Sequence, residues 1–378
     1  MTNEDRRENR YQRRKIARQN KIISRASSVG SIEDVFTYSG MYKYGKKCCN
    51  GVRWKQSTQI FELHLFSITA RNRKSVLANT YKWHRFYRFT LRERGKIRQI
   101  DAPCIQDRQI HKVLATEILF PLYKPFILYN NGASQKNKGL EFTYRQLKND
   151  LHEYFRKYGN TGYVVLLDFK KFFPSASHNV LKQFHTNILP NSPIRELADS
   201  IVNNFYNTIG LPLGVEPSQT EMIHLPSILD ADMTCSLRLK YFAHYMDDYY
   251  ILVPDTDRVN EVISRFRQCA NKLKLTISEN KLRVITLSKP FKFCKVTFRL
   301  TDTGKVIANG NRDSAKRARR KLKSFVSKPA HREYMWDCIQ SSIGYFKKYN
   351  DHKRILNLNR LVYTLFGVSV QNFMMENV

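Results

Sequence analysis

The chain has 378 residues, 42% of them hydrophobic, with 65 Lys and Arg against 32 Asp and Glu and a formal charge of +33. That excess of cations excludes an ordinary small-molecule enzyme and suits a protein that lies along a polyanion, while the apolar content excludes a disordered basic tail. The length allows two or three packed lobes.

Twenty-one Tyr and 23 Phe are interleaved with the basic residues, a composition that holds bases and phosphates together, although many of these rings must be core. Seven cysteines, at positions 48, 49, 104, 235, 269, 294 and 338, show no metal-ligand spacing. Reduced thiols in a cytosolic protein are expected. The N-terminus has no apolar core of a secretion signal, and no run of 18 apolar residues exists, so neither secretion nor a membrane span is expected.

Residues 1–30 read as a basic helix or an arm that orders on nucleic acid, with a solvated tail as the plain alternative. Ser31 to Asp34 has the capping residue and early acids of a helix start. Residues 40–60 give only loop and short helix. Ile60 to Ile68 and Arg71 to Leu77 read as helices. Arg85 to Leu91 and Ile97 to Ile100 read as strands around a basic turn, Arg92-Glu93-Arg94-Gly95-Lys96, whose tip can close over an anion or simply face solvent. Asp107 to Phe120 is an amphipathic helix ended by Pro121. Asn130 to Gly139 is a polar, basic loop of the kind that lets backbone approach phosphates. Phe142 to Tyr158 is a further helix.

Gly162 to Leu167 is a buried apolar strand that ends in Asp168. A charge there needs compensation, which makes it a functional candidate. Helices follow over His178 to Asn187 and Pro193 to Tyr206, with a loop at Asn207. Ile209 to Gln219 alternates Gly and Pro with apolar residues, a shaped loop opening into a helix from Thr220 to Ser236 that Pro226 kinks. Leu239 to Val253 places Tyr245-Met246-Asp247-Asp248 between two strand-forming runs, the pattern of a hairpin with both carboxylates at its tip. Two adjacent like charges are relieved by a hard divalent cation; a solvated Asp-Asp turn is the alternative. Asp257 to Leu273 is amphipathic, and strands follow over Arg283 to Leu287 and Phe291 to Leu300. Beyond Gly304 the chain reads as all-helical, with a very basic helix from Asp313 to Lys323, then Arg332 to Tyr349 and Asp351 to Phe366.

Three acids thus stand at strand ends or hairpin tips: Asp168, Asp247 and Asp248. The expected fold is α+β, an antiparallel sheet with helices on one side. Carboxylates converging there can hold two Mg²⁺ ions for an in-line attack by a 3′-hydroxyl on a nucleoside triphosphate.

With these residues in view, residues 75–325 resemble a reverse transcriptase, an RNA-directed DNA polymerase with a right-hand fold of fingers, palm and helical thumb. Tyr245-Met246-Asp247-Asp248 and Leu167 to Ser175 carry the resemblance. It implies that Asp168, the Phe169 carbonyl, Asp247 and Asp248 hold two Mg²⁺ (or Mn²⁺) ions. It assigns Arg92, Lys96 and Arg98 to the fingertip hairpin, with Arg98 on the triphosphate. Phe173 takes the position that blocks a 2′-hydroxyl. Leu213, Gly214, Ser218 and Gln219 fall in the block that packs on the incoming nucleotide, and Lys281 near the triphosphate. Phe293-Cys294-Lys295 matches the primer-gripping hairpin, and Lys316, Arg317 and Arg320 fall on the thumb. The implied partners are a template RNA, a DNA or RNA primer, deoxynucleoside triphosphates and a small basic accessory protein.

Leu-Gly-x-x-x-Ser-Gln, where many relatives have Gln for Leu213 and Pro for Gln219, is similar to reverse transcriptases of bacterial diversity-generating retroelements, as are Phe-Phe-Pro-Ser and the basic helix. An apolar side chain in place of an amide removes a discriminating hydrogen bond, so relaxed fidelity is expected. An anti-phage defence reverse transcriptase and a catalytically silent RNA-binding scaffold are the alternatives; the three intact acids speak against the second. Expected divisions are a basic extension over 1–45, fingers and palm over 46–300 and thumb over 301–378, in a bacterial cytoplasm. No ribonuclease H, integrase or nuclease segment is recognised. Leu166, Phe172 and Met246 read as core, and Lys170, His178 and His244 as surface or structural groups.

Overall fold

Helical periodicity and well-placed caps dictate the N-terminal elements. The computed structural model describes residues 3–93, 95–189, 192–205 and 208–374. Helix α1 spans Asn3–Ser28. Helix α2 (Ile32–Val35) opens with a reciprocal cap: the Asp34 N–H donates to Ser31 Oγ, and the Ser31 N–H donates to the Asp34 carboxylate at 2.8 Å. Thr37 caps α3 (Tyr38–Cys48). The next helical stretch divides at His64 into α4 (Gln56–Leu63) and α5 (Leu65–Leu77), earlier than expected, because His64 leaves helical backbone space at ψ 20°.

Strands β1 (Tyr87–Glu93) and β2 (Lys96–Ala102) pair antiparallel, with Glu93 opposite Lys96 and Arg92 opposite Ile97. The turn is therefore shorter than expected, and Arg92 belongs to a strand. Arg94 lies outside the described residues. Pro121 does not end the helix that precedes it. Helix α6 (Ile105–Val113) passes through a wide turn at Leu114–Leu119 into α7 (Phe120–Tyr123), with the Phe120 N–H bonded five residues back to Ala115. Pro121 then sits in a first turn, where its missing N–H costs nothing.

Helix α8 (Leu140–Tyr158) leads to β3 (Tyr163–Leu167), then α9 (His178–Ile188) and α10 (Ser192–Asn203). Tyr206 and Asn207, the expected helix end and loop, lie outside the described residues. Helix α11 (Glu216–His224) starts four residues before the expected Thr220, because Pro217 is suited to a first turn. Ser218 and Gln219 are helical as a result. Pro226 separates α11 from α12 (Ser227–Cys235).

Strands β4 (Phe242–Tyr245) and β5 (Asp248–Val253) are joined by Met246 and Asp247 alone. Helix α13 (Thr256–Lys272) and β6 (Arg283–Thr286) follow. Phe291 to Leu300 is not one strand. It folds back as β7 (Phe291–Phe293) and β8 (Val296–Leu300), turning at Cys294 and Lys295, whose φ values are 43° and 73°. Strand β9 (Val306–Asn309), which the sequence did not indicate, pairs with β8. Helices α14 (Arg312–Ser327), α15 (Arg332–Lys347) and α16 (His352–Phe366) complete the chain.

Two compact units result. The first comprises Met1–Thr143, Leu167–Asp247 and Asn260–Leu282. Its main core is built from α2, α3, α6, α7 and α10, with Phe36, Met41, Ile110, Leu114 and Tyr123 fully buried. The second comprises Tyr144–Leu166, Asp248–Val259 and Arg283–Val378. In it β5, β3 and β6 adjoin in that order, and β3 runs antiparallel to β6 with Tyr163 opposite Thr286. Buried Asp150 on α8 accepts hydrogen bonds from Tyr250 Oη at 2.8 Å and Gln146 Nε2 at 2.9 Å, which fixes that helix against β5. The last three helices close on Leu322, Phe325, Ile339, Phe346 and Val362. Each such side chain contributes about 1.5–3 kcal/mol by burial.

Candidate active site

Asp168 follows β3, whose four residues Val164 to Leu167 are buried, and its own exposure is 5%. An antiparallel bridge between Phe169 and Ile277 pins the segment. Its hydrogen bonds run from the Lys170 N–H to Thr276 O and from the Ser278 N–H to Asp168 O, both 2.8 Å, so neither uses the Phe169 carbonyl. The Phe169 ring stacks on Phe172 and Phe266 with centroids 5.4 and 5.6 Å away. Asp168 Oδ2 accepts from Lys281 Nζ at 2.5 Å. Asp168 Oδ1 is buried with no hydrogen-bond partner. A buried carboxylate oxygen in that state is suited to a cation.

The second acid comes from the two-residue link. Met246 takes φ 56°, a left-handed conformation suited to a hairpin turn. His244, fully buried, holds the turn: its Nδ1 bonds Met246 O at 2.9 Å and its Nε2 bonds Asp230 Oδ2 at 3.1 Å. From the other side Gly132 donates to His244 O at 3.1 Å. A Cβ on Gly132 would fall 1.9 Å from Thr143 Oγ1, so close packing accounts for this glycine without any phosphate. Burial pushes the Asp247 carboxyl up from its ordinary value, the charge of Asp168 adds to that, and Lys281 and Lys96 act against it. Asp168 and Asp247 are therefore near enough to repel, with two lysines of the same unit beside them. Asp248, the next residue, opens β5 in the second unit, where it accepts from the Cys294 thiol at 3.7 Å.

These donors fit a hard divalent cation: carboxylate oxygens, one of them orphaned on Asp168, with the charge of Asp168 adding to the upward push on Asp247. Among the described residues, only His84, Cys104 and Asp107 bring three potential ligand atoms mutually within 4.8 Å, and Asp168 and Asp247 belong to no such group. Asp107 accepts from Tyr81 Oη at 2.7 Å, the His84 N–H at 3.0 Å and His84 Nδ1 at 2.7 Å. That trio braces the base of the basic hairpin.

The remaining sequence candidates are dispersed. Arg92 and Arg98 are exposed on β1 and β2, and Arg98 pairs with Glu93 at 2.7 Å. Phe173 is half-buried, edge-on to Phe172. Leu213 is half-buried, and Gly214, at φ 101°, leaves 3.7 Å between a Cβ there and Ile100 of β2. Gln219 is exposed, but Ser218 is 1% exposed, its Oγ has no hydrogen-bond partner, and the residue lines a small cavity with Leu114 and Glu221. Phe293 is buried, Cys294 half-buried and Lys295 exposed; the Cys294 carbonyl accepts from Tyr144 Oη at 2.6 Å. Lys316, Arg317 and Arg320 are exposed on α14. His244, read from the sequence as a surface or structural group, is structural and buried. Asp230 and Tyr144 were missed as supports, and nothing in their local sequence signals that role.

An acid ending a buried strand, a second in a tight turn, and a basic hairpin, in a fold of helices and antiparallel strands, are features that a template-directed polymerase requires. The family model for reverse transcriptase (RNA-dependent DNA polymerase) matches residues 88–298, more than half of the chain, and the chain belongs to that family. A search of curated proteins finds no match. Among solved structures, the chain is similar to Candida albicans telomerase in complex with a TWJ fragment of telomeric RNA, with TM-score 0.48 and 11% identity over 79% of this chain and 67% of that one. It is also similar to apo telomerase of Candida tropicalis truncated from its C-terminal domain, with TM-score 0.46 and 13% identity over 59% and 55%. Among the described residues no helix is long and apolar enough to cross a membrane.

Proposed function

We propose that Asp168, Asp247 and Asp248 hold two Mg²⁺ ions and that the chain copies RNA into DNA with them. The observation that carries this is the pairing of Asp168 with Lys281 while its other oxygen stays buried and unpartnered. Bound ions would supply Lewis-acid activation of the primer hydroxyl and charge neutralisation on the triphosphate. Lys281 neutralises Asp168 until then, and stands where it can donate a proton to departing pyrophosphate. Phe173 excludes a 2′-hydroxyl, which selects deoxynucleotides. Primer extension on an RNA template with deoxynucleoside triphosphates tests the assignment. Asp247→Asn, which keeps the shape and removes the charge, should lower extension by about 10²- to 10³-fold. Comparable extension by the variant would defeat it.

The finer reading is a polymerase of the diversity-generating type, working with a small basic accessory protein. It rests on Leu213 standing where an amide is usual and on Gln219 standing where a proline is usual, with Gly214 and Gln219 exposed. An apolar contact discriminates base pairs less strictly than a hydrogen bond. Leu213→Gln should therefore lower the misincorporation frequency in sequenced extension products. An unchanged error spectrum would remove the basis for this reading.

A further inference from the structure

Helix α1 is 26 residues long, about 39 Å at 1.5 Å per residue, and residues 4–21 are all exposed. A polar, solvent-bathed helix of this length is unusual unless something covers it. Its C-terminal end is tied down: Ala26 is buried in the core of the first unit, and Val29 packs against that core.

The charges on α1 are sorted by face. Arg7, Arg10, Arg14, Arg18, Lys21 and Arg25 recur at spacings of three and four, which places them in one stripe running about 27 Å along the helix. Arg6 and Arg13 border it, so eight of the nine basic residues occupy an arc of about 140°. The acids Glu4, Asp5 and Glu8 all lie outside that arc. A solvated helix would intersperse its signs to form pairs between successive turns. Here one face is a continuous row of cations with a repeat of about 5.4 Å.

We infer that this face of α1 docks on the phosphate backbone of double-stranded RNA, such as a folded stem next to the copied region. Charge complementarity selects a polyanion, and a rigid row of cations suits a regular backbone. Duplex RNA is bound through shape, 2′-hydroxyls and phosphates, and a stripe made only of Arg and Lys can meet phosphates along such a backbone. An anionic membrane fits less well. The arc opposite the cations carries Asp5, Gln12 and Gln19 beside Ile16 and Ile23, which is not the apolar face of an interfacial helix. The inference goes beyond the polymerase reading by adding a second RNA contact, and its measurement requires no nucleotide incorporation.

The test uses the full chain and a labelled 24-base-pair RNA duplex, with binding followed by anisotropy from 50 to 200 mM KCl. One variant neutralises the middle three of the six stripe cations: Arg10→Gln, Arg14→Gln, Arg18→Gln. A second adds Asn9→Arg, Gln12→Arg and Gln19→Arg, which restores the charge on the opposite face. Both variants should lose about tenfold or more in affinity at 50 mM KCl. The plot of log affinity against log salt should become shallower by about 2 to 3. Extension of a DNA primer on a short unstructured RNA should stay at the wild-type level, which shows that both variants fold and separates this result from the polymerase reading. Wild-type duplex binding by the neutralised variant would overturn the inference. So would recovery in the relocated variant, because charge alone and not the face would then suffice. Loss of binding to phosphatidylserine vesicles with the duplex affinity intact would also overturn it, by assigning the face to a membrane.

Discussion

His185 shows at single-residue scale how a buried charge is kept. It is fully buried, with Nδ1 2.6 Å from Asp199 Oδ1 and Nε2 3.0 Å from Glu221 Oε1. Burial opposes its charge, but Glu221 and then Asp199 outweigh that and push it up to about 9. His224, stacked on Tyr123 in the same core, is pushed down to about 3 by burial, with the charge of His185 adding to it. The linkage signs are opposite. A folded-state value above the ordinary 6.5 means that stabilisation by His185 is complete below pH 6.5 and is lost as pH rises through 9. His224 costs stability only as pH falls below 6.5, so it does not act in the alkaline window. The full swing for His185 is about 3 kcal/mol. Urea unfolding at pH 6, 7.5 and 9 should show the wild type losing stability across that range. His185→Gln should be weaker at pH 6 and lose less on going to pH 9; parallel pH profiles would contradict the assignment. Nothing in the sequence announced this cluster, because its members lie 14 and 36 residues apart and each looks ordinary alone.

Elements whose local chemistry agreed with their surroundings were legible, and those where it disagreed were not. Asp168 and the Met246-Asp247 link could be read because apolar strands surround them, and burial of those strands leaves the acids only one place to emerge. Pro121 and Pro217 looked like breakers, yet each occupies a first helical turn, and the wide turn that accommodates Pro121 has no sequence signature. The strand pattern alone ran β7 and β8 together, and only the family resemblance pointed to a hairpin at Phe293-Cys294-Lys295, because Cys294 and Lys295 are poor residues for two successive positive φ angles, 43° and 73°. Asn-Gly is the pair such a turn favours. Cys294→Asn with Lys295→Gly should thus raise stability by about 1 kcal/mol, seen as a higher melting temperature. The same change should raise the KM for primer–template, because it removes the Lys295 cation from the segment assigned to primer gripping. A higher melting temperature with unchanged KM would show that Lys295 has no part in holding the primer; no gain in stability would show that the turn is not under strain.

Across the whole molecule, the charge of +33 must be supported by structure that keeps cations apart from cores. Helix α14 does this within the second unit. Leu322 and Phe325 are buried against α15 and α16, while Lys316, Arg317 and Arg320 are exposed. Replacing those three by Gln leaves the buried face untouched, so the helix should stay folded, with a melting temperature within about 1 °C of the wild type. The effect should appear in nucleic-acid binding instead. Each phosphate that is no longer neutralised takes about 0.7–0.9 from the slope of log affinity against log salt, so the triple substitution should reduce it by about 2 to 3. Binding that is weakened equally in the ground and transition states raises KM and leaves kcat alone. Extension assays at 50 and 200 mM KCl should therefore give a raised primer–template KM for the triple variant, most evident at the higher salt, and an unchanged rate at saturation. A fall in the saturated rate would mean that these residues help align the reacting ends and do more than hold the duplex. Unchanged KM at both salt concentrations would mean that α14 does not touch the template and primer at all.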